Sequence, residues 1–153
     1  MSTADLLRKL RDHGLAVFTN PDSETSILPF EEDGFSFNLT LMVDGCQVGI
    51  GSPAIARIAP DDPRTPEVMA NLLELNSELS SIRLHRDSKT GSFSGLYLMP
   101  VPAEDACMVD ITEIIFGVAS DVRAVLACIQ ATLDNGKSTH ECEEDEVNVA
   151  IER

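Results

Sequence analysis

The sequence predicts an α+β fold in which a five-stranded antiparallel sheet carries helices on one face, in the order α-β-β-β-α-β-β-α. Three stretches carry apolar residues three or four positions apart, which is typical of amphipathic helices. Between them, apolar residues alternate with polar ones, as in strands with one buried face. Polar turns containing Gly or Pro separate these stretches. We therefore expect a single α+β domain over residues 1–136, followed by an acidic C-terminal tail over residues 137–153.

The first helix is predicted over residues 3–13. Its apolar stripe consists of Leu6, Leu7 and Leu10. Thr3 is a candidate N-cap, and Gly14 suits the position after the helix end, where a left-handed backbone conformation is common. Residues 15–19 then have strand character, but the sequence leaves their pairing open.

Residues 27–50 are predicted to form a three-stranded meander. A turn at Asp44 and Gly45 would place Val43 opposite Cys46, and a loop over residues 31–34 would place Phe30 opposite Phe35. Both registers put the large apolar side chains on one face: Leu28, Phe30, Phe35, Phe37, Leu39, Leu41, Val43, Val48 and Ile50. The other face is expected to be mostly solvated, with small residues towards one end. It carries Ser36, Asn38, Thr40, Met42, Gln47, Gly49 and Gly51.

The second helix begins near Thr65, a candidate N-cap, with Pro66 at the first helical position. Its stripe comprises Val68, Met69, Leu72, Leu73, Leu75 and Leu79. Asn76 falls within this stripe, so its amide should be buried and hydrogen-bonded. A second hairpin follows, with strands over residues 82–85 and 93–99.

The third helix is expected from Asp110 to Leu133. Asp110 and Glu113 resemble a capping box, and the Asn135-Gly136 pair should end the helix. Its back is unusual, because small residues stand where Lys and Glu would normally face water. This back consists of Phe116, Gly117, Ser120, Ala124, Ala127 and Ala131. The most economical partner for such a surface is a second copy of the chain in an isologous homodimer. The alternative is that it packs on the first helix or the tail of the same chain.

Composition limits the classes of partner. The chain has 153 residues and a net charge of −15, so its average field repels nucleic acid and anionic membranes. Neutral or basic proteins and peptides are the expected partners, with no nucleic acid and no membrane. The N-terminal residues lack the pattern of a secretory signal, which favours a cytoplasmic location. The four cysteines, Cys46, Cys107, Cys128 and Cys142, are then expected to be reduced core thiols.

No reactive motif stands out in the chain. The sequence contains no nucleotide-binding glycine loop, hydrolase nucleophile motif or zinc-protease motif. His140 and Cys142 could contribute to a metal site, but their spacing fixes no geometry. We therefore expect a non-enzymatic protein with no catalytic, cofactor-binding or metal-binding residues. The alternative is a small-molecule sensor or an enzyme of unknown class, with a site near Gly49 and Gly51, where backbone can be approached closely.

Three segments carry a resemblance to the type III secretion chaperone-like fold, including its YbjN-like branch. They are Leu28-Pro29-Phe30 before an Asp-Gly turn, Leu72-Leu73-Glu74-Leu75-Asn76 before the Ile82 strand, and Asp110-Ile111-Thr112-Glu113. The resemblance covers about residues 3–133, and the tail lies outside the pattern. It implies a non-catalytic, chaperone-like or regulatory homodimer that binds an extended polypeptide segment through sheet edges and apolar patches. It transfers no functional residue to this chain.

Overall fold

A computed structural model of the chain describes residues 1–20, 22, 24–138 and 149–150, and these form an α+β fold. The helices are α1 (Thr3–Asp12), α2 (Thr65–Asn76) and α3 (Met108–Ser138). The strands are β1 (Phe18–Thr19), β2 (Thr25–Glu32), β3 (Phe35–Asp44), β4 (Gln47–Ile58), β5 (Arg83–Arg86), β6 (Ser92–Pro100) and β7 (Val149–Ala150). The predicted α+β class is confirmed, and every strand pairing described is antiparallel.

The sheet is larger than predicted. Six strands follow the order β1-β2-β3-β4-β6-β5, and β7 pairs with β4 beside this path. The two additional strands, β1 and β7, contain two residues each. β1 comes from the segment whose pairing the sequence left open, and it pairs with β2. β7 comes from the tail and pairs with Arg57 and Ile58. Without these two short strands, the element order is the predicted one.

The β2–β3 hairpin has a different register from the one predicted. Phe30 lies opposite Phe37 rather than Phe35. The loop is shorter, because only Asp33 and Gly34 stand between the strands, with φ angles of 51° and 81°. Positive φ at both loop residues is the requirement of a type I′ turn, whose twist matches that of the flanking strands.

The β3–β4 hairpin differs in the same way. Val43 pairs with Val48 rather than with Cys46, which lies in the turn after Gly45 (φ 59°). Each predicted register is wrong by two residues along one strand. Since side chains alternate with a period of two, such a shift leaves every residue on its predicted face. The inward residues of these strands that are fully buried are Leu28, Phe37, Leu39, Leu41, Val48 and Ile50.

The caps of α1 and α2 also differ from expectation. Ser2, not Thr3, is the N-cap of α1, and its Oγ accepts the Asp5 amide at 3.1 Å. Gly14 follows the helix with φ 86°, as predicted. Thr65 is the first helical residue of α2 rather than its cap. The segment before α2 is held by Arg64, whose guanidinium lies 2.9 Å from the Asp62 carboxylate.

Helix α3 is longer than predicted at both ends. It begins at Met108, so Asp110 lies inside the first turn and does not cap the helix. It continues through Gly136 to Ser138, so the Asn135-Gly136 pair does not end it. Its inward face is fully buried at seven residues: Ile115, Val118, Ala119, Val122, Val125, Leu126 and Ile129.

Helix α3 joins the layers of the fold. It contacts β2, β3 and β4, and both α1 and α2 contact it in turn. Within the described part of the chain, α3 is also the one helix long and apolar enough to cross a membrane by length and composition. A core helix passes the same test, and 44% of its apolar window is buried inside the fold.

A carboxylate on α3 organises the connection between α2 and β5. Asp121 is 7% exposed and accepts the backbone amides of Ser81 at 2.7 Å and Ile82 at 3.1 Å. Its other oxygen lies 3.4 Å from the amide nitrogen of Ser80. The connector has no regular structure of its own, so Asp121 supplies the acceptors that a helix or ladder would otherwise provide.

Candidate functional site

The back of α3 is defined by the six residues predicted as an interface. The residues at its two ends are exposed to solvent. Phe116 is 54% exposed and Ala131 is exposed. The other four are half-buried: Gly117, Ser120, Ala124 and Ala127. The helix therefore presents a narrow surface of small side chains to solvent, as the sequence predicted. Small side chains allow close approach of another backbone.

Two residues of this surface have neighbours within the same chain. The Phe116 ring packs edge-on against Phe30, with ring centroids 5.8 Å apart. Gly117 faces the α2–β5 connector, because a Cβ at this position would lie 3.2 Å from the Ser81 Oγ. Phe116 and Gly117 thus have partners in the fold, whereas Ala131 is exposed.

A second apolar surface lies on the sheet face opposite to the core. It is called here the outer patch, and its members are Phe18, Ile27, Met42, Leu96 and Leu98. Their exposed fractions lie between 40% and 63%. The register makes them neighbours: Phe18 pairs with Ile27 across β1 and β2, while Leu96 and Leu98 pair with Gly51 and Gly49. The patch therefore runs across the sheet from β1 to β6.

The outer patch does not follow from β3 and β4 alone, on which the prediction for this face rested. Those strands contribute polar residues and the two glycines, as predicted, together with Met42. The other four apolar side chains come from β1, β2 and β6, whose places beside them required the strand order. Gly49 is buried because Leu96 and Leu98 reach over it, at 3.4 Å and 3.6 Å from where its Cβ would lie. These side chains fill the space in which the alternative small-molecule site was considered.

A cavity of about 140 Å³ lies at the β5 edge of the sheet, between α2 and β5. It is called the edge cavity. Its walls are Met69, Leu72, Leu73, Asn76, Leu84, His85, Arg86 and Phe93. The prediction that Met69 and Leu73 widen the buried stripe of α2 is wrong, since they are 38% and 75% exposed at the cavity rim. They are exposed because the sheet ends at the four-residue β5.

Two polar atoms of the residues in this cavity wall have no hydrogen-bond partner in the part of the chain that the structure describes. They are the Asn76 Oδ1 and the Arg86 Nε, and each exposes less than 1 Å² to solvent. The Asn76 oxygen is buried as the sequence predicted, but the expected hydrogen bond is absent. A third such atom, the Arg123 Nε, lies 3.5 Å from the Glu32 carboxylate and so has a charged neighbour.

The His, Cys, Asp and Glu side chains of the described residues are the candidate metal ligands and nucleophiles. No group of three metal-ligating side chains occurs among the residues that the structure describes. Cys46 and Cys107 are exposed, which corrects the expectation of core thiols, because one lies in a hairpin turn and the other just before α3. Cys128 is half-buried, and burial raises the pKa of its thiol, which disfavours the nucleophilic thiolate. The candidate ligands His140 and Cys142 lie outside the described residues.

Asp62, an acidic residue just before α2, has a structural partner. Hydrogen bonds from Arg64 hold the pKa of Asp62 below its usual value, so this carboxyl is a charged partner rather than a proton donor.

His13 is exposed at the end of α1, with its Nδ1 2.9 Å from the Lys9 carbonyl oxygen. His85 is exposed on β5.

Comparison with known proteins adds no assignment: no family model matches the chain, and no curated protein matches it. Three surfaces are therefore the candidate functional sites: the back of α3, the outer patch and the edge cavity.

Proposed function

We propose that this protein is a non-catalytic protein-binding module of chaperone-like or regulatory type, which binds a polypeptide segment and acts as a homodimer. The outer patch is the observation that carries the proposal. Five large apolar side chains on one sheet face remain 40–63% exposed, although the chain has ample charge elsewhere. Contiguous exposed apolar surface of this kind marks interaction sites in soluble proteins.

The sheet edge beside the patch supplies a complementary feature. Among the residues that the structure describes, β5 pairs with β6 only from Leu96 to Phe93, so β6 extends beyond it through residues 97–100. A strand edge without a neighbour presents free backbone donors and acceptors, to which an extended peptide can add. Leu98 lies on this stretch and belongs to the outer patch. A peptide bound along this edge could therefore place apolar side chains over Leu98.

The back of α3 supports the second half of the proposal. Two copies can place these small-residue surfaces against each other, with Phe116 of each copy at the margin of the contact. The element order, once β1 and β7 are set aside, resembles that of the type III secretion chaperone-like fold noted above. This likeness supports a chaperone-like function by analogy of fold.

Peptide selection followed by matched variants tests the binding half. Peptides selected from a random library on the wild-type protein are labelled, and their affinities are measured by fluorescence anisotropy. We expect Leu98→Ser to weaken binding at least tenfold. Leu73→Ser is the control, because Leu73 is equally large and 75% exposed but lies on α2. Equal losses in both variants, or no selected peptide at all, would refute the proposed binding surface.

Sedimentation equilibrium at tens of micromolar tests the homodimer. Wild-type protein is expected at about twice the chain mass of 16.6 kDa. Ala131→Lys places a charge on an exposed position of the interface, so it should shift the protein to monomer. Ala70→Lys makes the same change at an exposed position of α2 and should leave the dimer intact. A wild-type monomer would remove the dimer from the proposal without affecting the peptide test.

A further inference from the structure

The edge cavity has the size of a small-molecule site. Its volume of about 140 Å³ is close to that of an engineered cavity of about 150 Å³ that binds benzene. Leu72 and Phe93 are almost fully buried in its wall, whereas Leu73 at the rim is largely exposed. The cavity thus has a deep apolar wall and an open mouth.

The cavity wall also has a polar part. The Asn76 Oδ1 is an acceptor and the Arg86 Nε–H is a donor, and neither has a hydrogen-bond partner among the described residues. A buried polar atom without a hydrogen bond costs about 1–3 kcal/mol, so native proteins rarely leave one unexplained. Here two of them, of complementary type, belong to side chains that line the same cavity.

The position of Arg86 adds a second indication. Its guanidinium lies over the Phe93 ring, with the Cζ 6.0 Å from the ring centroid. No carboxylate of the described residues forms an ion pair with it, whereas Arg8, Arg64 and Arg123 all have acidic partners. The aromatic contact therefore holds a donor at the cavity that the rest of the fold does not use.

We propose that the edge cavity binds a small neutral amide that carries an apolar group. An amide presents a carbonyl acceptor and an N–H donor on adjacent atoms. The carbonyl would accept from the Arg86 Nε–H, the N–H would donate to the Asn76 Oδ1, and the apolar group would lie against Leu72 and Phe93. The terminal torsion of an Asn side chain is broad, so Oδ1 can turn towards an occupant at small cost.

Three near-isosteric probes separate this chemistry from simple cavity filling. Benzamide has the donor and the acceptor, acetophenone keeps only the acceptor, and benzoate carries a charge. We expect saturable NMR shifts of the Met69, Leu72 and Leu73 methyl groups and of the Arg86 Nε–H with benzamide. Acetophenone should bind at least tenfold more weakly, and benzoate should also bind more weakly than benzamide.

Two variants assign the contacts. Asn76→Leu removes the acceptor and should reduce benzamide to the affinity of acetophenone, while Arg86→Met should weaken both. Arg83→Met is the control, because Arg83 lies on the same strand but faces the opposite side of the sheet, and it should leave the preference unchanged. Circular dichroism checks that each variant is folded, and the comparison of probes on wild-type protein does not depend on any variant.

Three results would overturn the proposal. Equal affinity for benzamide and acetophenone would show that only apolar filling occurs. Tighter binding of benzoate would assign the cavity to anions. Absence of saturable shifts at the cavity residues up to the solubility limit of benzamide would show that the cavity holds no such ligand. The inference does not rest on polypeptide binding, so it can fail or succeed separately from the proposed function.

Discussion

Replacement of Asp121 by alanine should destabilise the fold by about 2–4 kcal/mol. Asp121 is 7% exposed, and its Oδ2 accepts the amides of Ser81 and Ile82 at 2.7 Å and 3.1 Å. Hydrogen bonds to a charged group contribute about 1.5–3 kcal/mol each. The expected sum is reduced because Ser81 is half-buried, so water can replace the carboxylate at its amide. Ile82 is 2% exposed, and its amide would remain unpaired.

Urea unfolding followed by circular dichroism measures this change, with an unchanged denaturant slope expected. For a chain of this size, the melting temperature should fall by about 5–15 °C. Asp121→Asn keeps one acceptor oxygen and should lose about half as much. Asp134→Ala is the control, since Asp134 is exposed on the same helix, and it should change stability by less than about 0.5 kcal/mol. A loss in Asp121→Ala no larger than in this control would refute the role assigned to the carboxylate.

Three further predictions concern stability. Because its arginine partner lowers the pKa of Asp62, the stabilisation is present above the unfolded pKa of about 3.9 and disappears as the pH falls through the lower folded value. Asp62→Asn should therefore be about 1 kcal/mol less stable than wild type at pH 7, and this difference should shrink as the pH falls below about 3.9. Thermal unfolding at several pH values measures it, and a constant difference would contradict the prediction. Gly91→Ala should cost more than Gly14→Ala, although both glycines have positive φ, because only at Gly91 would a Cβ lie 1.8 Å from a backbone oxygen of β4. Leu39→Ala should cost about 2–5 kcal/mol in urea unfolding, whereas Leu98→Ala should cost less than about 1 kcal/mol, and similar losses would show that the outer patch is part of the core.

The sequence was sufficient to predict the faces of the residues that were assigned to one in the three-stranded meander. Val43 and Phe30 have partners other than those predicted, yet both remain on the inner side, because both hairpins shifted by two residues. The sheet face of a residue depends on the alternation of apolar and polar residues along its strand. The register of a hairpin depends on which residues form the turn. The β2–β3 loop has two residues instead of the predicted four because Asp33, a non-glycine residue, adopts a positive φ.

The candidate sites were predictable only where a single element forms them. The back of α3 follows from helical periodicity, and its end at Ala131 is exposed as expected. The outer patch and the edge cavity each need elements that are distant in sequence to lie side by side. Asp121 was missed for the same reason, since the amides that it accepts belong to another segment, 39–41 residues away. A lone Asp at the margin of an apolar helix face was the available signal.

Methyl NMR of the wild-type protein, titrated with a selected peptide, tests the proposed function most directly. The methyl groups of Ile27, Met42, Leu96 and Leu98 belong to the outer patch, and those of Met69 and Leu73 serve as the reference on α2. We predict that binding shifts the first group and protects the backbone amides of residues 97–100 from hydrogen exchange. Shifts confined to Met69 and Leu73, with residues 97–100 exchanging as in the free protein, would contradict the account.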